Sequence, residues 1–339
     1  MTEGRAPRFG LLYDMRNPAS AERSFEQLYA EVLEQVVRAE QLGYESIWLT
    51  EHHFSTDGYS PSPVPLAAAI AAKTSSVLIA TNLMLAPLHH PLRLAEDAAM
   101  LSILSGGRFD LGLGIGYREL EFAGLGVNRR FRPSLIEDTV AILRRAWTGE
   151  PFSYEGKRFT IPELPLGPIA ARAPRILIGG MSEPACRRAA AIGDGFLSAF
   201  NPTLPLYVEG LRDLGRDPAD GTICALQWIV VADDPERAWA EVGRHALYQI
   251  NMYVEWGGFG DVPPFESPAA LLEAGLYQVW DGDAAVAALT DLVREYPQIE
   301  DIHYFAALPG ESIASAGERI EYFARHVIPR VREGVLAGP

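Results

Sequence analysis

Glu51, His52 and His53 stand together in the run TEHHF, directly after SIWL, a short apolar segment that reads as a buried strand. A carboxylate and two imidazoles at a strand's carboxyl end are ill-suited to a dry core, because buried ionisable groups cost several kcal/mol unless they are paired. They suit a pocket. The plainer alternative is that one His caps a helix and the other fills surface, but the whole E-H-H-F string after a strand favours function.

Two further runs carry chemistry. In I-G-G-M-S, Gly179 and Gly180 follow a strand and let the backbone approach a ligand closely. Ser182 then opens a helix whose first amides point outward, a ready anion site unless the turn is an ordinary Ser cap. In G-L-G-I-G-Y-R-E, Tyr117 occupies the third glycine position after Gly112 and Gly114, so the dinucleotide fingerprint fails. Its glycines are expected to clear space for a flat ring or a phosphate, against the alternative that small residues merely fit a crowded barrel. A catalytic metal is not expected: hydrolytic sites need histidines from several strands. His89 and His90, in PLHHP, are expected to cap the next helix, and His303 lies inside a strand. A paired-carboxylate glycosidase would need a second acid beside Glu51, and none is evident.

Short apolar strands alternate with amphipathic helices along the chain. The expected strands are Arg8–Asp14, SIWLTE, Val77–Leu85, RFDLGLGIG, RILIGG, GFLSAF, Thr222–Ala232 and Asp301–Leu308. Helices are expected at about 24–42, 61–75, 91–104, 134–147, 183–192, 204–214, 235–256, 268–276, 283–296 and 312–331. A hairpin is expected at 151–161, and a Gly/Pro-rich stretch at 257–268. Eight β-α repeats with strands apolar on both faces predict an α/β fold, a (β/α)8 TIM barrel with insertions. A doubly wound open sheet is the rival. One domain over 1–339 is expected, with insertions at about 150–165 and 257–283.

The active site of such a barrel lies at the carboxyl ends of its strands. Those ends supply Tyr13, Asp14 and Met15; Glu51, His52 and His53; Asn82 and Leu83; Gly114, Gly116, Tyr117 and Arg118; Gly179, Gly180, Met181 and Ser182; Phe200 and Asn201; Trp228; and Tyr304. Composition sets the remaining bounds. Of 339 residues, 44 are acidic and 29 basic, a net charge of −15 that argues against nucleic acid and anionic membranes as partners. Cys186 and Cys224 lie in apolar surroundings and suggest neither a disulfide framework nor a zinc site. No signal sequence or membrane span is evident, which predicts a cytoplasmic protein.

With these residues in place, the chain resembles the luciferase-like flavin-dependent monooxygenase superfamily, from its first strand to its last helix. The resemblance is strongest in EHHF at 51–54, in HHPLRLAED at 89–97, in LSGGRFDLGLGIGYRELEFAGLG at 104–126, and in ILIGGMSEPACRRAAAIGDG at 176–195. It implies reduced FMN (FMNH2) across the barrel mouth, with its phosphate at Gly180-Met181-Ser182 and strand-four residues nearby. His52 matches the catalytic His, acting near a flavin C4a-peroxide; Glu51 and His53 would orient the ring and line the pocket. A non-proline cis bond is implied near Asn82-Leu83. A flavin reductase would supply FMNH2 transiently, oxygen would be the co-substrate, and a homodimer is implied. Met15, Leu83, Phe200 and Trp228 would wall off a small organic substrate, with 257–268 as a lid. There are departures: Ile115 stands where luciferase has a phosphate-binding Arg, leaving Arg118 as the nearest substitute, Gly114 stands where it has a reactive Cys, and Met181 where it has an acid. The alternatives are an F420-dependent oxidoreductase of the same superfamily, which would move hydride, and a non-catalytic flavin-binding subunit.

Overall fold

The computed structural model describes residues 6–337. In chain order the elements are β1 (Arg8–Tyr13), α1 (Phe25–Gln41), β2 (Ser46–Leu49), α2 (Pro63–Lys73), β3 (Leu78–Thr81), β4 (Met84–Leu85), α3 (Pro91–Leu104), β5 (Phe109–Gly114), α4 (Glu119–Gly124) and α5 (Arg132–Ala146). The hairpin β6 (Phe152–Glu155) and β7 (Thr160–Leu164) follows, then β8 (Ile176–Gly179), α6 (Glu183–Ile192), β9 (Gly195–Ser198), α7 (Leu204–Asp213), β10 (Ile223–Gln227) and β11 (Ile229–Val231). The chain continues through α8 (Pro235–Glu255), α9 (Pro268–Glu273), β12 (Gln278–Trp280), α10 (Gly282–Glu295), β13 (Ile299–Phe305), α11 (Ile313–His326) and α12 (Ile328–Leu336). Hydrogen bonding runs β3-β2-β1-β13-β10-β9-β8-β5, and β5 pairs back to β3. Eight strands in that cyclic order, alternating with helices, make a (β/α)8 barrel, as the repeat pattern predicts.

Residue contacts group the chain into two compact units, one of 48–54 and 60–221, the other of 6–47, 55–59 and 222–337. In the first, β3, β5, β8 and β9 pair in parallel, with Ile79 opposite Phe109, Leu111 opposite Ile176 and Leu177 opposite Gly195. Ile79, Leu111, Leu113, Leu177 and Phe196 are buried along these strands. That continuous apolarity is what a parallel sheet covered on both faces requires, and each such side chain contributes about 1.5–3 kcal/mol by leaving water. The Thr81 hydroxyl clamps β3 to β5, donating to the Gly112 carbonyl at 2.8 Å and accepting from the Gly112 amide at 2.9 Å.

In the second unit, β13 lies between β1 and β10, both in parallel. α1 starts where its sequence says it should. Ser24 accepts from the Gln27 amide while the Gln27 side chain accepts from the Ser24 amide, satisfying two orphan donors. Its stripe of Leu28, Val32, Val36 and Ala39 is buried, and Gly43, at φ 91°, ends the helix with a backbone that only glycine adopts without cost.

Several expected elements are divided or extended. The strand expected at Val77–Leu85 is two, β3 and β4, separated by a cis peptide between Asn82 and Leu83. Thr222–Ala232 is also two strands: β11 leaves the barrel sheet and pairs with β12, which the sequence pattern did not reveal because its three residues lie between helices. The last helix breaks at Val327, just ahead of Pro329, whose missing amide cannot continue the ladder. α4 was not expected, being only six residues long. Among the described residues no helix is long and apolar enough to cross a membrane.

Candidate active site

Glu51, Asn82, Tyr117 and Gly180 each follow a barrel strand: β2, β3, β5 and β8, consecutive across the sheet apart from the β4 interruption. The four loops therefore open at one end of the strand array, and all belong to the unit of residues 48–54 and 60–221.

Glu51 is the hub of the first loop. It is buried, and its Oε1 faces His89 Nε2 at 2.7 Å and His53 Nε2 at 3.2 Å, while Oε2 accepts from the Leu85 amide at 2.6 Å. Burial alone would raise its pKa, but the bonds to His53, His89 and Leu85 outweigh burial and hold the carboxyl at about 2. His89 moves the other way. Burial disfavours its charge, yet the hydrogen bond and attraction of Glu51 leave its pKa raised. Thus His90 caps α3 as expected, accepting from the Leu92 amide at 3.3 Å, whereas His89 does not: the turn at Ala86–Leu88 folds it back onto Glu51. Two adjacent histidines look alike in sequence, and nothing in PLHHP reveals which one turns inward.

These shifts predict a pH signature. A carboxylate whose pKa falls on folding contributes stability above its ordinary value of 4.5 and loses it as pH drops toward about 2. A shift of that size corresponds to about 3 kcal/mol. Thermal midpoints of the native chain and Glu51→Gln should therefore differ widely at pH 6 and converge as the pH falls through that window. A gap that stays constant with pH would show that Glu51 is not ionised in the fold.

His52 is held between two partners. Its Nδ1 lies 2.8 Å from Glu121 Oε1 and its Nε2 3.2 Å from the Tyr117 hydroxyl. A carboxylate can only accept, so Nδ1 carries the proton and Nε2 is left to accept from Tyr117 while the ring is neutral. Glu121, on α4, is fully buried, and its Oε1 also accepts from the His53 amide at 2.8 Å. Its Oε2 has no hydrogen-bond partner. Glu121 was not singled out in the sequence; its signal was the run GYRELEF, in which a short helix returns an acid toward the strand end. Arg118 is drawn to the same loop. Its guanidinium donates to the carbonyls of His53 and Phe54, the latter at 3.3 Å, so it braces backbone instead of standing free for an anion.

The phosphate-type turn is built as expected in part. Ser182 is the N-cap of α6, yet its hydroxyl makes no capping bond and is exposed. Of the helix's first residues, Pro184 has no amide hydrogen and the Ala185 amide donates to the Ser182 carbonyl at 2.9 Å, which leaves the Glu183 amide alone without an intrahelical acceptor. Glu183, in the first turn, would repel an anion, but it pairs with Arg187 at 2.9 Å. A methyl at Gly180 would come 2.3 Å from Ala185 Cβ, so only glycine lets the turn close onto the helix. Met181 is exposed beside it. The strand-four glycines serve a purpose other than the expected ligand clearance. A Cβ at Gly112 would meet the Thr81 carbonyl at 1.9 Å, and a Cβ at Gly114 or Gly179 would meet Leu83 at 2.4 and 2.6 Å. The space is filled by protein. Gly116 is needed for its positive φ of 69°.

The residues expected to line the substrate pocket divide between the units. Phe200 lies in the first, where its carbonyl accepts from the Ser198 and Thr203 hydroxyls. Met15 and Trp228 lie in the second. Met15 is buried, and Trp228 is half-buried, packing against Phe305 with ring centroids 4.9 Å apart, and against Tyr277 and Tyr253. Among the described residues no group of three or more His, Cys, Asp and Glu is arranged to hold a metal ion.

This arrangement sets a buried, hydrogen-bonded imidazole and an uncapped Ser182 hydroxyl at one end of parallel strands. Comparison with known proteins points the same way. A family model described as luciferase-like monooxygenase matches residues 8–292. The F420-dependent hydroxymycolic acid dehydrogenase of Mycobacterium tuberculosis is 31% identical over 60% of this chain and 59% of its own length. The oxygenase component of the flavin-dependent trigonelline monooxygenase of Acinetobacter baylyi is 29% identical over 49% of this chain and 46% of its own. The chain thus spans less than two thirds of the length of each. In fold, it superposes with a TM-score of 0.79 on the oxygenating constituent of 3,6-diketocamphane monooxygenase from Pseudomonas putida, solved with FMN. That match covers 96% of this chain and 99% of the other at 22% identity.

Proposed function

Because this chain belongs to the luciferase-like monooxygenase family, we propose that it is a flavin-dependent monooxygenase using reduced FMN and molecular oxygen on a small organic substrate. The observation that carries this reading is the fixed Tyr117–His52–Glu121 chain at the same strand ends as the uncapped Ser182 hydroxyl. The reading places the FMN phosphate at the Gly180–Ser182 helix start, where the uncapped Ser182 hydroxyl and the Glu183 amide are the donors for an anion. Arg118, spent on the His53 and Phe54 carbonyls, does not supply the cationic contact in this reading. When bound, reduced flavin supplies the electrons and the position at which oxygen reacts.

The chain's own residues would then do three things. Glu121 fixes the tautomer of His52, Tyr117 Oη and His52 Nε2 hold a proton that can be given or taken at that atom, and Glu51 anchors the loop through His53, His89 and Leu85. In this reading the whole chain, 1–339, acts as one catalytic domain in the cytoplasm, as a homodimer, and receives FMNH2 transiently from a separate flavin reductase; the existence of an oxygenase component among its relatives supports that last point. The second reading, an F420-dependent oxidoreductase that moves hydride, is supported by the similarity to hydroxymycolic acid dehydrogenase.

Anaerobic titration separates the two. FMNH2 should bind with a saturable change in flavin fluorescence, and admitting oxygen should then reoxidise protein-bound FMNH2 with kinetics distinct from those of the free cofactor. Tight binding of reduced F420 with no response to FMNH2 would overturn the monooxygenase reading in favour of the second.

A further inference from the structure

Phe54 closes the EHHF run, and none of the roles above uses its side chain. It stands in the unit of 48–54 and 60–221 together with α4. Its backbone is left-handed, at φ 57°, which costs about 1–3 kcal/mol for a residue with a bulky side chain. Its ring is 50% exposed, so core burial does not offset that strain. A further cost lies opposite. Gly124 ends α4 without a positive φ, so alanine would suit its backbone and favour the helix by about 0.5–1 kcal/mol. A Cβ there would nevertheless lie 2.5 Å from Phe54 Cε2, 2.9 Å from Cζ and 3.3 Å from Cδ2. The ring needs glycine at 124; the helix does not.

What this contact steadies is α4. A helix of six residues does not hold itself in place, so its position is set by what packs on it. Phe122 is buried, and Gly124, two residues on and therefore nearly opposite around the helix, carries the Phe54 ring. The position matters because α4 carries Glu121. That carboxylate reaches both His52 Nδ1 and the His53 amide through Oε1 alone, each at 2.8 Å, while Oε2 has no hydrogen-bond partner. Its second oxygen therefore gives it no hold if the helix shifts. Arg118 ties the same two segments, donating to the His53 and Phe54 carbonyls, and so fixes the strained peptide that aims the ring.

We propose that Phe54 is a positioning residue: its ring, seated on Gly124, holds α4 against the loop after β2 so that Glu121 keeps the proton of His52 on Nδ1. The ring itself takes no part in the chemistry. Removing it leaves a gap over Gly124, and a methyl at 124 lifts it, so the two changes should loosen the same Glu121–His52 bond by different routes. That the His52 proton serves catalysis rests on the monooxygenase reading; the seat and its effect on the imidazole do not.

The test therefore uses the purified chain without flavin. NMR of protein labelled with nitrogen-15 in its histidine rings follows exchange of the His52 Nδ1–H with water, the resonance being assigned by its absence in His52→Ala. Exchange at least about tenfold faster is expected in Phe54→Ala and in Gly124→Ala. The double variant should match Phe54→Ala within about twofold, since the three atoms nearest to the added methyl all belong to the ring that has gone. The Nδ1–H of His303, held by Asp301 at 3.1 Å in the other unit, is the internal reference and should not change. Unchanged His52 exchange in the single variants, effects that add in the double variant, or equal acceleration at His303 would overturn the proposal. Should Phe54→Ala not fold, Gly124→Ala decides alone, and native-like exchange in it removes the role. FMNH2 titration on the same preparations keeps the two readings apart: selectively faster His52 exchange in the variants, with no flavin binding by the native chain, leaves the seat standing and removes the cofactor reading.

Discussion

His52→Ala is expected to lower kcat with reductase-supplied FMNH2 by about 10²- to 10⁴-fold, the range for loss of a positioned proton-transfer group. The fold should survive. The His53 amide still donates to Glu121 Oε1 when the ring is gone, so the carboxylate is not left bare. Glu121→Gln separates positioning from proton handling. A carboxamide can present its NH2 group to Nδ1, which would move the ring proton to Nε2 and force Tyr117 to accept. A fall in kcat of about 10- to 100-fold is expected, as for other residues that orient a functional ring, with KM little changed and the pH–rate profile displaced. Glu121→Asp, which keeps the acceptor but shortens its reach, should recover part of the rate. Turnover within twofold of native in His52→Ala would remove the residue from the chemistry, and an unaltered pH profile in Glu121→Gln would reduce that carboxylate to a structural role.

The largest effect on stability is expected from Gly112→Ala. The added methyl would lie 1.9 Å from the Thr81 carbonyl oxygen and 2.5 Å from Leu197 Cδ1. Leu197 can turn; the carbonyl cannot, because β3 is paired with β5 and the Thr81 side chain grips Gly112 on both its amide and its carbonyl. Overpacking that a core can absorb costs about 1–3 kcal/mol. A clash with backbone inside a paired sheet should exceed about 4 kcal/mol, enough to consume much of an ordinary domain's stability. Gly317→Ala is the contrasting control. It sits within α11 with only Gln35 Nε2 at 4.0 Å, and replacing a helical glycine there should add about 0.5–1 kcal/mol. Urea unfolding of both variants checks the pair, and a Gly112→Ala chain as stable as native would mean that the β3–β5 spacing is wrong.

The repeat of apolar strands and helices was enough to read the barrel, because strands covered on both faces leave an unbroken apolar signature. β4, β11 and β12 escaped because two or three residues carry no period. The position of Glu51, His52 and His53 after β2 was legible for the same reason: ionisable groups stand out against an apolar run. Their partners were not. Glu121 is reached through a six-residue helix, and His89 through a single turn, so neither contact follows from spacing along the chain. The seat of Phe54 on Gly124 was invisible for a different reason. A phenylalanine after two histidines reads as one more apolar residue, and only the folded chain brings the end of α4 under its ring.

Leu83 fills the room left by glycine at both 114 and 179, on two different strands. Three positions far apart in the chain are therefore bound into one volume constraint. A methyl gained at 114 or 179 is harmful alone but becomes acceptable once residue 83 has shrunk, and a shrunken residue 83 leaves a hole until one of the others grows. Lineages of this barrel should cross between these packings only through that order of substitutions, so the three sites should change as a correlated set when diverged sequences are compared, while the neighbouring Gly112, pinned by backbone, admits no such exchange.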